Sequence, residues 1–359
     1  MTDRCSPRLG GMVTLRDISR DVGLSVTQVS RALGGHADVN RDTRDRVQQA
    51  AKRMGYRPNA IARGLKTGRS GIVAMIVAGS RDPEANAHLF EIVMGMSAEI
   101  SALGLQFVLH VAQPGQDAAR LHADLYRSGG IDGFVLIGPA PDDPRIATLT
   151  ALGAPFIVHG RDPAQPHAHV DIDNYRVGRL MADHLLDLGH RRIAFLNGPE
   201  TEFFAIRRRR GVEDACAARG LPADPALLLT TTMIEPHGRR LTLDLLGAAA
   251  PPTAIIAGNT MLARGIFQAA KDRGLRIPDD LSVLAHDDGL ELFALDSFAP
   301  RLGGTVAHLK TAWVTLSQDL QQVIAAQNGP FHSRLLDLAF DRGLSTRAIP
   351  VDMQSGSGT

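Results

Sequence analysis

Residues 13–35 read VTLRDISRDVGLSVTQVSRALGG, and the spacing of capping and apolar positions in this stretch decides how the chain begins. Thr14 can cap a first helix, with Asp17 beside its positive end and Leu15, Ile18 and Val22 on one face. Gly23 stops that helix. Ser25 can cap a second, Val26 to Leu33, in which Val29 and Leu33 point inward while Thr27, Gln28, Ser30 and Arg31 are left for an outer face. Two helices joined through a glycine-containing turn predict a helix-turn-helix. Asn40 then precedes a third helix, Arg41 to Met54, with Val47, Ala50, Ala51 and Met54 at core spacing and Gly55 as its stop.

The charge distribution sharpens that reading. The chain has 359 residues with 39 Lys plus Arg and 38 Asp plus Glu, but residues 1–70 hold 14 and 6 of these, and the remainder 25 and 32. A front end of net +8 beside a body of net −7 predicts a module that meets a polyanion in a salt-dependent way. The 44% apolar composition describes a globular protein, and the length predicts two or three domains. Cys5 and Cys216 are far apart and form no CxxC cluster, which argues against disulfide frameworks and zinc ribbons. No apolar run approaches the roughly 20 residues of a membrane span, and MTDRCSPRLGGM lacks the apolar core of a secretory signal. No membrane partner and a cytoplasmic, nucleoid-associated location are expected. Met12 immediately precedes VTLRD, so translation starting there is an alternative to Met1.

The same stretch, continued by VNRDTRDRVQQAAKRMGYRPNAIARGLKTGRSGIVAMIV (39–77), resembles the start of the lactose-repressor (LacI/GalR) family of bacterial transcription regulators, almost without gaps from Val13 to Val77. The resemblance implies that Val26, Thr27 and Gln28 meet base edges, that Ser30, Arg31 and Asn59 hold the phosphate backbone, and that Thr14, Leu15, Ser25, Asn40 and Ala62 belong to the same DNA-facing set. The chemistry agrees: a Gln amide can pair with a base edge, Val can touch a thymine methyl, and Arg or a hydroxyl positions the backbone. Pro58 to Leu65 is too short to stay helical alone in water. By resemblance it is a hinge helix that folds on DNA, pairs with its dimer mate and wedges Leu65 into the minor groove.

From Gly71 onward apolar runs such as GIVAMIVA, LQFVLHVA, RRIAFLNG and LSVLAHDD alternate with helical patterns. Strands this apolar belong in parallel sheets covered on both faces. The predicted fold is α/β: a two-lobed, periplasmic-binding-protein-like core of two Rossmann-like lobes behind an N-terminal all-α helix-turn-helix domain. The expected boundaries are 12–57 for the headpiece, 58–69 for the hinge, 71–168 with 303–331 for the first lobe, and 169–302 with 332–352 for the second.

Ligands in such folds sit beyond the carboxyl ends of strands. Arg208, three residues before Gly211, matches the family's effector-binding arginine, and Asn259 and Asp287 stand at matching strand ends, each with a helix cap or turn as its other reading. The pair Asp173–Asn174 is expected to fix a helix start. His159-Gly160-Arg161 replaces the family's usual aspartate-containing strand end, which makes His159 and Arg161 candidate specificity residues. Phe90, Phe203 and Phe204 could offer an apolar face to a sugar ring or belong to the core. His167 and His169, followed by Asp171 and Asp173, are metal-ligand types, but alternation along an entering strand explains them equally, and no metal or other cofactor is expected. No Walker A sequence or GxSxG elbow is present, so no enzyme is expected. The sum is a homodimeric repressor of carbohydrate-utilisation genes on a double-stranded, pseudo-palindromic operator, controlled by a small effector, with a sugar favoured over a purine or nucleoside. A solute-binding protein without a DNA role is the rival from another class.

Overall fold

A computed structural model of the chain describes residues 13–36, 38–56, 69–78, 83–290, 294–326 and 332–349. It divides into a headpiece unit, residues 1–70, and a body, residues 71–359.

In the headpiece, α1 (Leu15–Val22) begins at Thr14, whose backbone N–H and hydroxyl donate to Asp17 Oδ2 at 2.9 and 2.7 Å. Gly23 ends it with φ 67°, a conformation that glycine adopts without strain. The second helix, α2 (Val26–Leu33), starts in a reciprocal capping box: Gln28 N–H donates to Ser25 Oγ at 3.2 Å, and Ser25 N–H donates to Gln28 Oε1 at 3.0 Å. Asn40 caps α3 (Arg41–Met54) by accepting from Asp42 N–H at 2.8 Å. Ile18, Val29, Ala32, Val47, Ala50 and Ala51 form the shared core, with Leu33 only packed against its edge.

Among the described residues the body holds two six-stranded sheets. The first runs β11 (Ser333–Leu335), β5 (His169–Asp171), β4 (Phe156–His159), β3 (Gly133–Ile137), β1 (Ile72–Ala78), β2 (Gln106–Ala112), with parallel pairing throughout. Alternation sorts β1 between two cores. Val73 and Met75 pack with α4 (Pro83–Ala102) and α11 (Leu309–Ala326), while Ala74 and Ile76 pack with Phe134 and Leu136 beneath α5 (Ala118–Arg127) and α6 (Pro144–Ala151). The second sheet runs β12 (Ala339–Asp341), β10 (Gly303–Val306), β9 (Ser282–Asp287), β8 (Ala254–Ala257), β6 (Ile193–Asn197), β7 (Leu228–Thr230), with β12 antiparallel. Helices α7 (Asn174–Asp187) and α8 (Phe203–Ala217) cover one face, and α9 (Glu235–Leu246) with α10 (Thr260–Asp272) the other.

The crossings between lobes fall later than the sequence suggests. β5 pairs within the first sheet and β10 within the second, so the chain changes lobe just after Asp171, Val306 and Leu335 rather than near 168, 303 and 331. The short strands flanking each crossing carry no signal of which sheet will pair with them, and pairing alone settles it.

One packing feature places the site. Helices α7 and α8 touch backbone to backbone: a Cβ on Gly178 would lie 2.0 Å from the Arg208 carbonyl oxygen, and one on Gly211 would lie 2.1 Å from that of Tyr175. These glycines bring the middle of α8 down onto the start of α7 and set Arg208 beside Asn174. Among the described residues, no helix is long and apolar enough to cross a membrane.

Candidate nucleic-acid interface and interlobe site

The outer face of α2 is presented as the sequence predicts. Val26 is 39% exposed and so stands outside the headpiece core, and Thr27, Gln28 and Arg31 are also exposed. Val26, Thr27 and Arg31, with Leu15, half-buried Ser30 and His36, line an open groove. His36 was not anticipated, since it lies beyond the helix and spacing gives it no face. Capping consumes part of the set: the Thr14 hydroxyl, Ser25 Oγ and Asn40 Oδ1 each bond to the helix they start, and Gln28 Oε1 is held by Ser25. Gln28 therefore keeps its NH2 group as the part free to address a base acceptor without opening its capping box. Arg31 is paired with Asp38, both half-exposed, so any anion approaching it has to compete with a carboxylate. Asn59, Ala62 and Leu65 lie outside the described residues.

Beyond the strand ends of the body a second constellation forms. Arg208, 5% exposed on α8, donates from Nε to Asn174 Oδ1 at 2.8 Å and from Nη1 to Gly258 O at 2.7 Å, and its guanidinium lies 4.9 Å over the Phe204 ring. Burial pushes its pKa down, and the carboxylates of Asp288, Asp171 and Glu202 oppose that. Asn174 passes the contact on, donating to Asp171 Oδ1 at 3.1 Å. Arg161, from the turn after β4, meets Asp171 Oδ2 at 3.1 Å. Burial raises Asp171 to about 6, against the pull of Arg161, the Ile172 N–H and Arg208. His159, at the end of β4, packs tilted against Trp313 of α11 with ring centroids 4.9 Å apart. Burial lowers it to about 4, with Asp288 opposing and Arg208 reinforcing the shift. Across the mouth, the Phe203 N–H of the second lobe donates to Pro139 O of the first at 3.0 Å. Beside that contact, burial raises Glu202 while Arg145 and Arg208 pull it down.

Three expected cleft residues have different roles. Asn259 is a cap: Oδ1 accepts from Leu262 N–H at 2.9 Å and Nδ2 donates to Met233 O at 3.1 Å. Asp287 is a loop anchor, accepting from Gly289 N–H at 2.7 Å and Leu295 N–H at 3.2 Å. Phe90 is 63% exposed on α4, one turn from Met94 at 54%, which does not suit a residue enclosed by a cleft. The carboxylate that acts on Arg208 and His159 is the neighbouring Asp288, 3.3 Å from His286 Nε2. In HDD at a strand end the two carboxylates diverge, and their order alone does not say which faces the ligand. Asp173 caps α7 by accepting from Arg176 N–H at 3.1 Å, as expected of the helix start. His167 Nδ1 lies 2.6 Å from Gln165 O and His169 Nδ1 lies 3.2 Å from His167 O. Among the described residues no group of three or more His, Cys, Asp or Glu could hold a metal ion.

This combination of an exposed helix-turn-helix and a two-lobed body with polar strand ends defines a class of DNA-binding regulator. Residues 14–59 match the family model of bacterial regulatory proteins of the lacI family, and residues 71–324 that of periplasmic binding proteins and the sugar-binding domain of the LacI family. The HTH-type transcriptional regulator AglR of Rhizobium meliloti (strain 1021) is 37% identical over 310 residues, covering 86% of this chain and 87% of its own. Among solved structures, a transcriptional regulator CelR–cellobiose complex superposes with a TM-score of 0.66 at 26% identity, covering 93% of this chain and 99% of that one. The lac repressor dimer bound to operator and the anti-inducer ONPF shares the fold with a TM-score of 0.77 at 23% identity, over 94% of this chain and 100% of that one. The chain belongs to the LacI family of transcriptional regulators.

Proposed function

We propose that the protein represses carbohydrate-utilisation genes as a homodimer on a pseudo-palindromic operator, and that a small neutral carbohydrate between its lobes controls it. The observation that carries the effector class is the charge balance around Arg208. Asp171 answers Arg161, Asp143 answers Arg145 with Nη2–Oδ2 at 2.6 Å, and Asp288 faces Arg208 itself. A nearly neutral set of buried donors and acceptors favours hydroxyls over an anionic ligand. The CelR–cellobiose complex is a carbohydrate-bound relative with the same architecture. The effector acts by preferring one lobe arrangement, and the change reaches the headpiece along the segment that joins it to the body.

For the dimer, the support is exposed apolar side chains on the first lobe: Phe90 and Met94, one turn apart on α4, and Val108 and Val111, 41% and 50% exposed, on the two faces of the edge strand β2. Exposed apolar surface of this kind suits a second copy of the chain.

The test is a thermal-shift panel of mono- and disaccharides with purines and nucleosides as the competing arm, followed by gel retardation on DNA flanking the gene. Carbohydrate stabilisation that disappears in Arg208→Lys is expected. Stabilisation by purines alone would overturn the effector class. Trp313, the one tryptophan in the sequence, gives a second optical readout because it packs against His159.

A further inference from the structure

We propose that Asn174 is a positioning residue that ties Arg208 to the point where the chain leaves the first lobe, so that the guanidinium and the crossover move together. The inference rests on reading Arg208 as the effector group and deepens it.

The helix start does not need this side chain. Asp173 already caps α7 through Arg176 N–H, at 3.1 Å. Yet Asn174 is buried, 5% exposed, with both ends of its amide engaged: Oδ1 accepts Arg208 Nε–H at 2.8 Å, and Nδ2 donates to Asp171 Oδ1 at 3.1 Å and approaches Ile172 O at 3.4 Å. The partners fix the amide's orientation, because a guanidinium only donates and an ionised carboxylate only accepts. Asp171 is the last residue of β5, paired into the first sheet, and its other oxygen holds Arg161 from the turn after β4. The guanidinium of Arg208 is anchored at its far side to Gly258 O in the second lobe, at 2.7 Å. A continuous path results: Arg161, Asp171, Asn174, Arg208, Gly258. It spans the crossover, and Asn174 is the one member that must both donate and accept. Aspartate at 174 would keep the acceptor for Arg208 but set a second carboxylate against Asp171. Leucine would keep the shape and leave the Arg208 Nε–H and the Asp171 oxygen without that partner.

The full chain decides this without any effector. Hydrogen exchange at Arg208 Nε is followed in nitrogen-15 spectra, and the ionisation of Asp171 in carbon-13 spectra. The groups facing Asp171 are Arg161 from the β4 turn, Arg208 from α8, and Asp173 with the Ile172 N–H at the crossover. In Asn174→Leu, exchange at Arg208 Nε should quicken by at least about tenfold, and the Asp171 midpoint should rise because its ionised form loses a donor. Asn174→Asp should restore Arg208 protection while raising the Asp171 midpoint. Asp173→Ala should lower Tm, leave Arg208 Nε exchange near wild type and lower the Asp171 midpoint by removing a neighbouring negative charge, so general weakening of the helix start is distinguished from loss of the Asn174 amide. Unchanged Arg208 exchange in Asn174→Leu overturns the proposal. If that variant does not fold, an unmoved Asp171 midpoint in Asn174→Asp overturns it instead. A panel in which no carbohydrate binds would sink the effector reading and leave these signals intact, so the two failures are separable.

Discussion

The headpiece and the interlobe site are both built for recognition, and they prepare their side chains in opposite ways. On α2, the residues that would meet a base or a phosphate stand in solvent, with Val26 39% exposed and Arg31 and Gln28 held only by exposed neighbours. Between the lobes, Arg208 and Asn174 are each 5% exposed, and they bond to each other, to Asp171 and to the Gly258 carbonyl. A surface that reads a large polyanion can rely on the partner to complete its contacts. A buried site that grips a small ligand must hold its groups in place beforehand, because an unpaired polar group there costs about 1–3 kcal/mol.

The largest expected break of this contrast is by pH. Burial holds His159 at about 4 in place of 6.5. As pH falls from 6.5 to 4 the unfolded chain takes up this proton before the folded one does, so the body loses stability across that window. It keeps the contribution in full above 6.5. The loss amounts to roughly 3 kcal/mol. Asp171 works the other way: its folded value near 6 exceeds 3.8, so it adds stability as pH falls between those limits and masks part of the effect. Comparing wild type with His159→Gln cancels Asp171. The gap in unfolding free energy should therefore move in the variant's favour between pH 7 and pH 4, as measured by chemical denaturation. A gap that does not change with pH would mean that His159 is not held neutral by its surroundings.

The same contrast explains what was legible beforehand. In the headpiece, the period of Ile18, Val22, Val29 and Val47 fixes which side is inside, so the outer row follows by subtraction, and caps and glycine stops mark the ends. In the body, the apolar strands and the two-lobed order follow from the same kind of pattern. The cleft does not. Whether Asp287 or Asp288 acts on Arg208, and whether Asn259 caps or reaches outward, depends on partners outside the strand-end motif, such as Leu295 in the following loop and Met233 in another element. Asn174 could be recognised only once Gly178 and Gly211 had brought α8 onto α7. An aromatic ring suits Phe90 to a cleft, but it suits an exposed turn of α4 beside Met94 equally well.

A smaller effect separates capping from base reading in the headpiece itself. Gln28→Glu keeps an oxygen for the Ser25 N–H, so the capping box and the headpiece's melting temperature should hardly change. It removes the NH2 donors and adds negative charge, so operator binding should weaken by about 1–3 kcal/mol, with relaxed discrimination at the base pair addressed. Gln28→Ala should lose both properties. Equal operator affinity for Gln28→Glu and wild type, by gel retardation at fixed salt, would mean that the Gln28 amide serves the helix alone.

The smallest effect tests whether the headpiece is as open as its exposure implies. Arg31 is not wholly available, because Asp38 holds its guanidinium in an exposed pair. Such a pair contributes at most about 1 kcal/mol in the free protein, and a phosphate approaching Arg31 must either displace Asp38 or tolerate a carboxylate at close range. Asp38→Asn removes both obstacles and leaves the helix caps untouched, so non-specific DNA affinity should rise two- to threefold, or roughly 0.5 kcal/mol, with a steeper dependence on salt. Sequence preference should fall slightly, because the gain applies to every site alike. If affinity and salt slope both stay at wild-type values, Arg31 does not contact phosphate, and its place in the headpiece is the resting pair with Asp38.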